Sequence, residues 1–376
     1  MAEFFQNLLT ALAVVVNGIP QGLLALGYGF AAFPTAVAFL IGIAGSLGFQ
    51  SVATISFQAE TITLAGSLGA TVKERLSLVF WGAALLLVPS LLGLNEVIVA
   101  YIGNVIMFAM MAGVGLMLAN VAIDLLKSEY YSGSVSVVSA LIVWFITKDL
   151  AKTIIVSVAV ATIVYLIIRR RPALKEKLAS GSGMLKVDSG RERFTLGNIE
   201  WKFWKSRTIV LGALSLACLN IGANISFGKI TGGIAGVNTN IDHLAVYSSL
   251  ADMGSALFGG GPVESIISGT ATAPNALLAS VLMMGLMALI LFLKLLPVIG
   301  RFVHKSSIAG FLFVLGAFVT FAGNIADSIA AAGSVAGPFG FAPQGMVIGA
   351  VVVVTARFNP FFGMIAGVIV KLVFGL

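Results

Sequence analysis

The chain is poor in the residues from which most catalytic and metal centres are built. Among 376 residues there is one cysteine, Cys218, and two histidines, His243 and His304. One cysteine excludes an intramolecular disulfide framework, and the three residues together do not make a zinc site. Charge is scarce as well, at 10% of residues. Soluble domains carry about 25%, so a soluble core is excluded. No G-x-x-x-x-G-K-[ST] phosphate loop is present, which argues against a nucleotide-driven pump. The run Gly259-Gly260-Gly261 leads into Pro262 instead. The first apolar segment follows Met1-Ala2-Glu3 without a basic n-region, so no cleavable signal peptide is expected.

What is abundant is apolar. Hydrophobic residues make up 59% of the chain and the mean hydropathy is +1.06. Stretches near the length of a spanning helix recur from end to end, giving an all-α polytopic membrane protein of the cell (plasma or inner) membrane. The 43 glycines suit close helix packing in lipid, or backbone that leaves helical geometry. Charge is concentrated in residues 169–207, which hold 11 of the 22 lysines and arginines and include Ser180-Gly181-Ser182-Gly183. This segment reads as a solvated linker, touching anionic headgroups rather than nucleic acid.

The linker separates two halves that resemble each other when the chain is slid by about 204 positions. Ala59-Glu60-Thr61-Ile62 then falls on Val263-Glu264-Ser265-Ile266, and Asn120-Val121-Ala122 on Asn324-Ile325-Ala326. The expected organisation is a first repeat over 1–168, the linker over 169–207, and a second repeat over 208–376. Each repeat holds about seven segments, about 14 in all, and an odd number makes the two inverted. The third segment of each half, near 57–70 and 263–272, is short and polar. The first is preceded by β-favouring Gln50-Ser51-Val52-Ala53-Thr54-Ile55-Ser56 and the second by the glycine run. Extended chain followed by a half-helix is expected at both places, with Glu60 and Glu264 each in a first turn.

Leu250-Ala251-Asp252-Met253-Gly254-Ser255-Ala256-Leu257-Phe258-Gly259, followed by Gly261-Pro262-Val263-Glu264-Ser265, resembles the tenth segment of nucleobase–ascorbate (xanthine/uracil) permeases. That resemblance implies core and gate domains, a homodimer, and transport of a purine-like nucleobase with protons, or with Na+, as coupling ion. Under it Glu264 and Asn220 read the base edge and Phe57 stacks on the ring. Asn224 and the broken backbone at Gly261 and Val263 complete the substrate site. Glu264, Glu60 and Asp252 are the coupling candidates, and no metal or other cofactor is expected. Each has a plainer reading: Glu264 and Glu60 as helix caps, Asn220 and Asn224 as ties between helices, and Asp252 as a hydrogen bond to the broken segment. Asn120 and Asn324 read as packing or capping residues.

Two other functions fit the same residues. One is an anion carrier like the sulfate permeases, which holds its ion at half-helix dipoles. The other is a passive channel or lipid-handling protein. An enzyme fits least, since no nucleophile–base pair appears. Of the basic residues assigned to loops, 17 fall on the linker's side and 4 on the other. The positive-inside rule therefore puts the linker in the cytoplasm and both termini outside, whereas the family resemblance implies termini inside.

Overall fold

The computed structural model describes residues 2–170, 195–333 and 343–375; the middle of the basic linker lies outside them. The helices of the first half are α1 (Ala2–Gly27), α2 (Ala32–Phe49), α3 (Ala59–Leu68), α4 (Val72–Leu91), α5 (Asn95–Ile102), α6 (Asn104–Ser128), α7 (Tyr130–Thr147) and α8 (Leu150–Arg170). The second half contributes α9 (Arg207–Ala223), α10 (Lys229–Ile234), α11 (Ile241–Leu257), α12 (Ala276–Phe292), α13 (Leu295–Gly300), α14 (Ala309–Val314), α15 (Ala322–Ala332), α16 (Pro343–Arg357) and α17 (Pro360–Val373). Among the described residues, eight helical stretches are long and apolar enough to cross a membrane. The protein is an all-helical, multi-pass membrane protein.

The helices pack as two bundles. In one, α4 lies against α9 and α11, α2 against α11 and α12, and α1 against α12. In the other, α6 lies against α14, α15 and α16, and α7 against α8 and α14. Lipid gives no hydrophobic drive for helices to associate, so close backbone approach has to supply contact. Gly316 shows this: a Cβ there would sit 2.7 Å from both Ala119 N and Gly115 O of α6.

Two strands join the halves at the centre of the first bundle. Strand β1 (Ile55–Ser56) pairs antiparallel with β2 (Glu264–Ser265), with Ile55 opposite Ser265 and Ser56 opposite Glu264. The chain reaches β2 through Gly259, at φ +94°, and Gly260, where a Cβ would lie 2.6 Å from Thr35 N. Only glycine tolerates that pair of demands.

The two expected half-helices have different outcomes. In the first half α3 forms directly after β1, as read from the sequence. In the second, Glu264 lies in a strand and not in a helical first turn. Only a 3-10 turn, Gly269–Thr272, follows before α12. The cause is local. Ile266, Ile267, Gly269 and Thr270 are poor helix formers, Ser268 caps Thr270 N at 3.2 Å, and Pro274 stops any continuation. A ladder of hydroxyls, Thr54 to Thr270 and Thr54 to Ser280, both at 2.9 Å, then holds the turn.

The end of the linker is not a free segment, contrary to expectation, although most of its side chains stay exposed. Ile199 is buried, Glu200 N donates to Ser77 at 2.8 Å, and Trp81 Nε1 donates to Glu200 O at 3.1 Å. The Trp81 and Phe203 rings lie 4.1 Å apart, so residues 195–206 form a strap against α4. α4 begins in a capping box, Thr71 with Glu74, that the T-x-x-E pattern encodes. Lys73 Nζ lies 2.9 Å from Glu200, and its hydrogen bond holds that carboxyl below the usual range. A depressed carboxylate contributes above its unfolded value, about 4.3, and its contribution is lost as pH falls through the folded one. Acidification below pH ~4 is expected to loosen the strap, seen as a red shift in tryptophan emission. Lys73→Met should show the same shift at neutral pH, and an unchanged spectrum in both cases would refute the tie.

Candidate functional site

Most of the residues singled out by resemblance meet at one buried node in the first bundle. Asn220, near the end of α9, donates its amide to Glu264, and its oxygen accepts from Thr61 Oγ1 at 3.3 Å. Thr61 shares that one hydroxyl hydrogen with Gln58 Oε1, and Gln58 Nε2 donates to Ser265 O at 3.0 Å. Asp252 Oδ1 accepts from Val263 N at 2.7 Å, the structural bond to the broken segment read above. Gly261 N donates to Thr35 Oγ1 at 2.8 Å. Phe57 packs edge-on against Phe39, with ring centres 5.7 Å apart. Asn224 is buried and its amide makes no hydrogen bond within the described residues. The node braces β2 against α3, α9 and α11.

The open space lies elsewhere, at the seam between the bundles. A cavity of about 210 Å³ is bordered by Gln21 of α1, Gln58 and Glu60 at the start of α3, and Ile266 and Ile267 beyond β2. Two π-helical segments close it. Asn224–Gly228 contributes Ser226 and Phe227, and Leu315–Phe321 contributes Leu315, Val319 and Thr320. A π turn carries one more residue than an α turn, bulges the backbone, and concentrates at functional sites. Asn324 and Asp327 of α15 also line the cavity.

Of the predicted site residues, only Glu60 borders this cavity. Glu264, Asn220, Asn224, Phe57, Gly261, Val263 and Asp252 do not. Phe57 in particular is buried against its own bundle and offers no face to a planar ligand. Sequence reading missed Gln21, Gln58, Ser226 and Thr320. A signal existed for two of them: Gln21 follows Pro20 inside an apolar helix, and Gln58 abuts the α3 start. Asn324, read as packing, donates to Thr320 O at 2.7 Å and stands at the cavity wall.

The local charge is unusual. The cavity lining holds two acids, Glu60 and Asp327, and neither lysine nor arginine. Glu60 is 3% exposed and accepts from Thr320 Oγ1 at 2.9 Å. The first turn of α3 points its amide end here, with Ala59 N donating to Gln21 Oε1 at 3.0 Å. What the lining offers a negative charge is therefore neutral donors and a helix N-terminus, not cations.

No protein-family model and no curated protein matches the sequence. Solved structures do. The transmembrane domain of a cyanobacterium bicarbonate transporter, BicA, superposes with a TM-score of 0.65 at 14% identity, over 96% of this chain and 97% of that one. Murine Slc26a9, an anion transporter in the inward-facing state, gives 0.68 at 14% identity, over 99% of this chain and 68% of that one. A further SLC26A9 structure gives 0.68 at 13%, over 99% and 65%.

At such identities the likeness establishes the fold alone, one that these multi-pass membrane proteins share. It also corrects the family resemblance. These neighbours are bicarbonate and anion transporters, which points away from the nucleobase permeases, and the purine reading falls. The reason is visible in the residues, since the Val-Glu-Ser sequence that carried the resemblance lies in a bracing strand outside the cavity.

Proposed function

We propose that the chain is a secondary transporter of a small anion, of the inorganic or organic kind that bicarbonate and sulfate represent. The observation that carries this reading is the seam cavity at the positive end of α3, walled by two π segments. The shared fold of anion transporters supports it. An anion there meets the helix N-terminus and neutral donors from Gln21, Gln58 and Ser226. It moves unchanged, with no covalent step.

In this reading the chain has 14 membrane-crossing elements in two inverted repeats, 1–168 and 208–376. The bundle of α1–α4 with α9–α12 is the core, and that of α6–α8 with α14–α17 is the gate. The antiparallel meeting of β1 and β2, one from each half, supports the inversion. Coupling to a proton or Na+ and assembly as a homodimer belong to the same reading.

The test is counterflow in proteoliposomes loaded with unlabelled anion and diluted into labelled sulfate or bicarbonate. Saturable exchange with at least one anion, unaffected by excess purines, is expected. Absence of exchange across a panel of anions would defeat the proposal, and unsaturable, current-carrying leak would mark a channel instead.

A further inference from the structure

Glu60 borders a second cavity as well as the first. This one, of about 170 Å³, lies between α3 and α6 and is lined by Thr63, Ser67, Met117, Asn120 and Ala356 among others. Of the residues lining the two cavities, Glu60 alone is common to both.

The two cavities face opposite ends of the bundles. The second reaches Ser67 near the end of α3 and Ala356 at the end of α16, beside Arg357 and on the side of Lys73 and Lys127. That is the linker's side. The first reaches Leu150 at the start of α8 and Ile230 next to Lys229, the side of Lys148 and Lys152. The repeat mates Asn120 and Asn324 border the second and the first cavity respectively.

We infer that Glu60 is a proton-carrying site open in turn to the two membrane faces, and that its proton travels with the anion. The inference rests on the anion-transport reading and names its coupling ion. An anion entering beside an ionised Glu60 meets a like charge in a medium of low dielectric. Taking up one proton on the carboxyl removes that repulsion and leaves a monoanion plus proton neutral as a pair. No covalent bond other than the carboxyl O–H forms or breaks.

Thr320 Oγ1 donates to one carboxyl oxygen, which leaves the other to receive the proton. That hydrogen bond also crosses the seam, because Glu60 belongs to the first bundle and Thr320 to the second. Relative movement of the bundles therefore breaks it, which ties the release of the proton to the change of access.

Few other charges face Glu60. Asp327 shares the first cavity. Arg75 is held at the far end of α3 by Gly69 O at 2.8 Å and Tyr28 O at 2.5 Å. Glu264 lies behind Asn220 in the node. Among the described residues no lysine or arginine forms an ion pair with Glu60.

The experiment compares anion uptake into proteoliposomes with and without an inward pH step, taking the ratio so that changes in basal rate cancel. One unit of pH is worth about tenfold in accumulation per coupled proton. The wild type is expected to approach that figure, Glu60→Gln to fall to a ratio near one, and Glu60→Asp to recover part of the response. A Glu60→Gln protein that keeps the wild-type ratio, or a response abolished by Asp327→Asn instead, overturns the assignment. Wild-type exchange that ignores the pH step overturns it too, yet leaves the anion reading standing. Lack of any anion exchange removes both. If Glu60→Gln does not fold, proton uptake by the wild type on adding sulfate, followed with a pH dye, decides: no uptake refutes the site.

Discussion

Gln21→Glu is expected to raise the apparent KM for anion by about tenfold to a hundredfold while leaving the fold intact. Gln21 reaches from α1 to the start of α3 and accepts from Ala59 N at 3.0 Å. Glutamate preserves an oxygen at that place, so the α3 cap survives. What changes is the charge, which now sits at the helix end proposed to hold the anion. Two unit charges a few ångströms apart near a protein surface interact by roughly 3–4 kcal/mol, and part of this is offset by the helix dipole the new carboxylate engages. A net loss of ~1.4–2.8 kcal/mol corresponds to the stated range. The excess of its KM over that of wild type at the same pH should shrink as pH falls through the carboxylate range, whereas Gln21→Leu should show no such change. An unchanged KM in Gln21→Glu, in a protein that elutes and melts like wild type, would remove the cavity from the transport path.

The architecture was largely legible in the sequence because lipid imposes strict rules on it. Long apolar segments have to be helices, and the glycine run before Pro262 had to be irregular. Extended chain and then a half-helix followed from the β-favouring run over residues 50–56 and the short, polar segment that begins near Phe57. The site was harder to read, for two physical reasons. A buried acid in a membrane segment looks the same on paper whether it braces or binds, so Glu264 drew more weight than Glu60, though of the two Glu60 borders the cavity. The π segments at Asn224–Gly228 and Leu315–Phe321 leave no composition signal, yet they shape the cavity. Repeat alignment misled in one respect. It set Glu60 on Glu264, while Glu60 lies in the first turn of α3 and Glu264 in β2, so the two acids occupy different structural positions.

The buried node yields the other large effect, on stability rather than transport. Asp252→Ala removes the acceptor of Val263 N, a backbone donor that is fully enclosed and has no alternative partner in the extended run from Gly261 to Ser265. A hydrogen bond to a carboxylate is worth about 1.5–3 kcal/mol, and a buried donor left unsatisfied costs about 1–3 kcal/mol. Their effects overlap in one measurement, so a loss of about 2–3 kcal/mol is expected. Asp252→Asn retains an oxygen at the same reach and should lose much less. That contrast separates bracing from titration, because a proton-carrying role would be destroyed by asparagine and alanine alike. Denaturation in detergent, monitored for each variant with and without anion, provides the comparison. Equal destabilisation by alanine and asparagine would refute the bracing assignment. Loss of the pH-driven uptake ratio in a stable Asp252→Asn protein would move the coupling site from Glu60 to the node. Asn220→Leu should act on the same unit, since it strips Glu264 of its amide donor and Thr61 of an acceptor. Its effect is expected to be less than additive with Asp252→Ala, as for residues that share one network.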